Sequence, residues 1–246
     1  RFTDASGNAL AYYLWPDYDA ESARFTVRLE GATSAGKLLV CYGNPTATTT
    51  SDGDAVYEFY DGFSAGTIDT IKWYQSKAAS IEDGICTVPS GGYLAGKVDY
   101  PVGYTTQIVV RYTSGATNWA GIESTFGTTQ SNDLDMVDQT SAYAGSGSSY
   151  GGSLHGVNMT SEYREVTITR TGGATNRTII LIDGAEKYNT SAYASTANRH
   201  PVINAYSGAI YVKSVIVRAY SATPPTLVSS SMVLYQASTR TKDFTG

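Results

Sequence analysis

The sequence predicts an all-β protein, an antiparallel β-sandwich preceded by a small β unit. Three observations carry this. Apolar and polar residues alternate over short runs, the period-two pattern of half-buried strands. Gly, Asn, Asp or Pro bound almost every run, where a chain must turn. Nothing between the runs reads as a crossover helix, which parallel pairing would need. A chain of 246 residues that repeats this pattern throughout buries its strands by packing sheet on sheet.

The elements follow in chain order. In "ARFTVRLEG", Phe25, Val27 and Leu29 share one face, and Arg24, Thr26 and Arg28 share the other. "GKLLVCYG" is a continuous apolar run, the pattern of a central strand covered on both sides. "TTQIVVRYTS", "YREVTITRTG" and "AIYVKSVIVRAYS" are further strands. In "RTIILIDGAEKY", Asp183-Gly184 marks a hairpin turn. Trp73 is expected in the core. Two stretches are irregular: the Gly/Ser/Tyr loop at 140–156 and the tail after "TPPT". The expected organisation is a small β unit over 1–56, a sandwich over 57–222, and a tail over 223–246 able to add a strand.

Composition excludes some functions. The net charge is −5, with 17 Lys and Arg against 22 Asp and Glu. No basic cluster is present to neutralise phosphates, so nucleic acid is not an expected partner. No apolar stretch is long enough to insert directly into a membrane. The two cysteines, Cys41 and Cys86, allow one disulfide; two buried thiols are the alternative.

The candidate chemistry is acidic and aromatic. "NDLDMVD" places Asp133 and Asp135 on one strand face, and a bulge would bring Asp138 to join them. Such a set could bind calcium, with Asn132 adding an oxygen, or form a solvated strand end. Asp52, Asp54 and Asp61 make a second, weaker calcium pattern. His155 and His200 show no zinc or triad spacing, and His200, ahead of Pro201, is expected in a turn. Trp119, Tyr143, Tyr150 and His155 are the candidate ligand contacts, aromatic groups among Gly and Ser on loops.

"RFTDASGNALAYYLW", then Cys41-Tyr42-Gly43-Asn44-Pro45, then Tyr57–Phe63 ("YEFYDGF") resemble an uncharacterised prokaryotic domain family of cell-surface proteins. That family shows RFTD, a YYGNP turn and a closing F-x-FFDDF. Here Cys41 replaces a Tyr and Gly62 an Asp. "FSAGTIDTIKW", "SIEDGICTV", "IILIDGAEKY" and "VKSVIVRAYSATPPT" are similar to the concanavalin-A-like lectin/glucanase jelly roll. The sandwich is expected to bind glycan without catalysis, with calcium the one candidate cofactor. The resemblance implies an extracellular, cell-surface parent protein and no activity of its own, because fold does not carry function. It also implies a strand ahead of RFTD. The tail at 226–239, a neighbouring copy of the chain, or a segment outside this sequence would supply that strand. Supply by a neighbour would make the protein a self-assembling filament or sheath subunit. The spacing of Asp133, Asp135 and Asp138 resembles the E-x-D-x-x-E of a concanavalin-like glycoside hydrolase family. That implies a hydrolase acting through Asp133 and Asp138, each one methylene shorter than the family's Glu.

Overall fold

The computed structural model describes residues 1–15, 23–29, 38–41, 46, 48–115, 118–124, 134–145, 154, 156–191 and 194–222. The chain divides into two compact units, the first containing Arg1–Tyr57 and the second Glu58–Ala222. The tail expected to add a strand lies outside the described residues.

The first unit is small and aromatic. Strands β1 (Phe2–Thr3), β2 (Ala9–Leu10) and β5 (Leu39–Val40) form a sheet in the order β2-β1-β5. Strands β3 (Tyr12–Leu14) and β4 (Phe25–Val27) form a two-stranded ribbon. So few strands bury little aliphatic surface, and rings supply the packing instead. Phe2 meets Phe25 at 5.0 Å and Tyr12 at 5.3 Å between centroids, and Arg24 lies 3.8 Å over Trp15. The Thr26 hydroxyl joins Trp15 Nε1 and the Tyr57 hydroxyl, at 3.1 and 2.7 Å. A four-residue helix, α1 (Gly53–Val56), ends the unit, and Asp52 caps it by accepting from the Asp54 and Ala55 amides.

One strand differs from expectation. "GKLLVCYG" does not give a covered central strand. Among the described residues β5 pairs with β1 alone, at the edge of its sheet, and Leu39 and Val40 are 40% and 47% exposed. An unbroken apolar run reports strand propensity, not position in a sheet.

The second unit is the sandwich, and every pairing in it is antiparallel. One sheet contains β7 (Trp73–Gln75), β10 (Gly92–Gly96), β12 (Trp119–Glu123), β13 (Leu134–Val137), β14 (Ala142–Gly145) and β18 (His200–Ala205), in the order β14-β13-β12-β18-β10-β7. The other contains β8 (Ser80–Glu82), β9 (Ile85–Val88), β11 (Tyr104–Tyr112), β15 (Arg164–Arg170), β16 (Thr178–Ile182), β17 (Ala185–Thr190) and β19 (Ile210–Ala219). Its order is β17-β16-β15-β11-β19-β9-β8, with β6 (Phe59–Asp61) also pairing β19. Asp183-Gly184 makes the expected tight turn, with φ of 50° and 77°, and Asp83-Gly84 repeats it between β8 and β9.

The core lies between the sheets. Leu94, Ile122, Val137 and Ile203 from one meet Val88, Ile108, Val110, Ile168 and Val215 from the other. Trp73 is buried as expected, and its Nε1 donates to Asp61 Oδ2 at 2.7 Å. Asp61 Oδ1 accepts from the Phe63 amide. Asp52 caps a helix and Asp61 holds a core tryptophan, so neither serves the calcium loop weighed for this stretch. The disulfide that the two cysteines allow is not formed. Both cysteines are free thiols, Cys41 exposed and Cys86 enclosed in the sandwich core.

Candidate functional site

Strand β13 decides the acidic motif. Its pairing with β12 runs without a register shift, so side chains alternate strictly along it. Asp135 and Val137 point inward, and Leu134 and Met136 point outward. Without a bulge, Asp138 falls on the face opposite to Asp135. The two carboxylates therefore cannot join one ion or one reacting sugar, which corrects the calcium set Asp133, Asp135 and Asp138. Asp133 itself, like Asn132, Tyr150 and His155, lies outside the described residues. Among the described residues, no group of three or more His, Cys, Asp or Glu could hold a metal.

Asp135 is a buried structural charge. It pairs with Arg199, both fully enclosed, and accepts from Thr178 Oγ1 of the opposite sheet at 3.2 Å. Burial raises its pKa, against the pull of Arg199 and Arg170. Removing one partner of such a pair costs about 3–5 kcal/mol, because the other charge stays buried. Asp138 is occupied differently. Its Oδ1 accepts from the Thr140 and Ser141 amides and its Oδ2 from the Tyr143 hydroxyl at 3.0 Å. It closes the β13–β14 hairpin.

The outward face of the six-stranded sheet carries the richer chemistry. The registers place Tyr74, Ala95, Val202, Gly121, Met136 and Tyr143 in one row across all six strands. A tyrosine stands at each end and small residues fill the middle. Gly121 is required there: a Cβ would run into the Asp135 carbonyl oxygen and the Met136 backbone. Beside this row run Tyr93, Asn204 and Trp119, also in register. Trp119 is only 8% exposed, packed with Ala95 and Val202 against Tyr93, Leu134 and Met136. It backs the face and is not an open platform. Tyr74, 48% exposed, and the half-buried Tyr93 and Tyr143 present the accessible rings. Lys97 lies 4.5 Å over the Tyr74 ring.

On the other flank, Glu123 sits opposite His200. His200 is not in a turn; it opens central strand β18. Pro201 fits there because Gly96, a Cβ of which would meet the proline ring at 3.0 Å, leaves room. His200 Nδ1 donates to Asp99 at 2.8 Å, and Nε2 faces Glu123 Oε1 at 3.6 Å. Sequence reasoning missed Glu123 and Asp99, because the three residues come from separate segments with no shared spacing. An open groove elsewhere, lined by Ser114, Gln139, Thr140 and residues 156–160, offers neither charge nor aromatic ring.

Residues 1–76 match a family model described as a domain of unknown function, DUF2341. No curated protein matches the chain by sequence. Solved structures similar to it include the carbohydrate recognition domain of Emp46p in its metal-free form, at 11% identity and TM-score 0.51, covering 61% of this chain and 89% of that one. A structure described with endo-acting O-glycanases of the human gut microbiota aligns at 12% and 0.52, over 67% and 100%. The endo-β-1,3-glucanase of Pyrococcus furiosus aligns at 10% and 0.52, over 68% and 95%. Identities this low establish the fold alone, the jelly-roll sandwich that lectins and glucanases share. No helix among the described residues is long and apolar enough to cross a membrane.

Proposed function

We propose that the second unit is a non-catalytic, lectin-like glycan-binding module of an extracellular cell-surface protein. The glycan lies against the accessible tyrosine rings of the six-stranded sheet's outward face, whose middle residues Ala95, Val202 and Gly121 are buried. The observation that carries this is the six-strand row with Tyr74 and Tyr143 at its ends and Tyr93 beside it. Ring faces pack on the C–H faces of sugars, and a few fixed polar groups orient them. Asn204 and Asp99 supply those groups, and the enclosed His200 holds Asp99 in place through Nδ1. Glycoside hydrolysis needs two carboxyl groups free to act, about 5–5.5 or 6.5–9.5 Å apart. On this face Asp138 is held by its turn and Tyr143, and Glu123 is held against His200, so binding is favoured over cleavage.

The test is binding to a polysaccharide panel, with and without calcium, using wild type and Y74A/Y93A. Binding that falls about tenfold or more in the double variant supports the reading. No binding to any polysaccharide removes it. Reducing sugar released from β-glucans by wild type and not by E123Q would overturn the non-catalytic part.

A second reading is a self-assembling subunit of an extracellular filament or sheath. The exposed apolar edge strand β5, with Leu38 beside it 40% exposed, favours it.

A further inference from the structure

The opposite side of the sandwich carries a cationic patch that the glycan reading does not use. Arg111 on β11 points outward, between the inward Val110 and Tyr112. Tyr211 of β19 stands directly across from it. Tyr163, one residue before β15, flanks it on the other side. The Arg111 guanidinium lies 4.6 Å from the Tyr211 ring centre and 5.2 Å from that of Tyr163. Lys213 Nζ lies 4.3 Å over the same Tyr163 ring. Two cations therefore share one aromatic ring.

Neither has a carboxylate partner among the described residues. Other arginines of the unit do: Arg164 pairs with Glu162 and Asp183, and Arg199 with Asp135. Arg111 Nε is also buried without a hydrogen bond. Like charges placed close together destabilise each other unless an anion joins them. The rings hold the cations over their faces. Burial raises the Tyr163 pKa further above neutrality, so its hydroxyl stays protonated.

We infer that Arg111, Lys213, Tyr163 and Tyr211 form an oxyanion site for an acidic sugar of a polysaccharide, recognised through its carboxylate or sulfate. Two cations suit a single oxyanion. Nucleic acid would need a run of them. The net charge of −5 suppresses unspecific attraction of polyanions, so binding of one reports on this patch.

The experiment measures binding of polygalacturonate, dextran sulfate, unsulfated dextran and single-stranded DNA to wild type, K213Q and R111Q/K213Q, with melting curves for each. Wild type binds an acidic polysaccharide with an affinity that falls as salt rises. The double variant loses about tenfold or more. K213Q, changed at an exposed side chain, loses part of it without a change in melting temperature, which keeps the test valid if R111Q unfolds. Preference between polygalacturonate and dextran sulfate distinguishes carboxylate from sulfate. Binding of neutral polysaccharides is unchanged, because they contact the other face; loss of that binding alone bears on the tyrosine row and not on this patch. Acidic polymers bound equally by wild type and K213Q, or not bound by wild type, overturn the inference. So does DNA bound as tightly as the acidic polysaccharides and lost in the same variants.

Discussion

Cys86 is fully enclosed in the sandwich core, and burial pushes its thiol up to about 12. In the unfolded chain a thiol titrates near about 8.5. The proton is thus held more tightly by the folded state. Its contribution to stability is complete below about pH 8.5 and is lost as pH rises from there towards 12, with a slope of at most about 1.4 kcal/mol per pH unit. Tyr100, also pushed up to about 12 by burial, adds to the same alkaline loss above about pH 10. Melting temperature should therefore fall steadily above about pH 8.5, and less so in C86A. A thiol reagent at neutral pH should label Cys41 in the native protein and both cysteines only after denaturation. Two thiols labelled at equal rates in the native protein would contradict the burial. A mass shift on reduction would contradict the free thiols. Spacing and count allowed a bridge but favoured two buried thiols; the structure leaves both thiols free and buries only Cys86, because burial is set by strands far from either cysteine in sequence.

At the scale of elements, the strands were legible and their faces were not always so. The alternation in "EVTITR" and the Asp183-Gly184 hairpin came through because both are local. In "NDLDMVD" the faces depended on a bulge that an isolated strand cannot reveal. The continuous pairing of β13 with β12 excludes it and sends Asp135 inward to Arg199. The same pairing explains Gly121. An alanine there would drive its methyl into the backbone of β13, against the Asp135 carbonyl and Met136 Cα, which cannot swing aside as a side-chain tip can. Overpacking of this kind costs about 1–3 kcal/mol. G121A should lower the melting temperature and weaken glycan binding, since it displaces Met136 in the middle of the tyrosine row. Calorimetry and the polysaccharide panel check both effects. Unchanged stability would mean that the two strands lie farther apart than described.

At the scale of the molecule, the sandwich was readable because many short strands without helices leave few other architectures. The candidate site was not, since Tyr74, Tyr93 and Tyr143 come onto one face only when six strands from distant parts of the chain take their order. The first unit raises the last question at this scale. Among the described residues its three-stranded sheet ends in β5, which pairs there on one side. Leu39 and Val40 are 40% and 47% exposed on it. Proteins protect such edges with Lys, Pro or a bulge, and the described part of β5 has none of these. A strand from a neighbouring copy would satisfy its backbone and cover its side chains together. If copies join there, sedimentation velocity should show wild type associating as concentration rises and L39K/V40K remaining monomeric. Both positions are exposed, so each lysine should change stability by no more than about 0.5 kcal/mol. A wild type that stays monomeric at every concentration, or a variant that associates equally, removes the assembly reading and leaves the glycan-binding module standing alone.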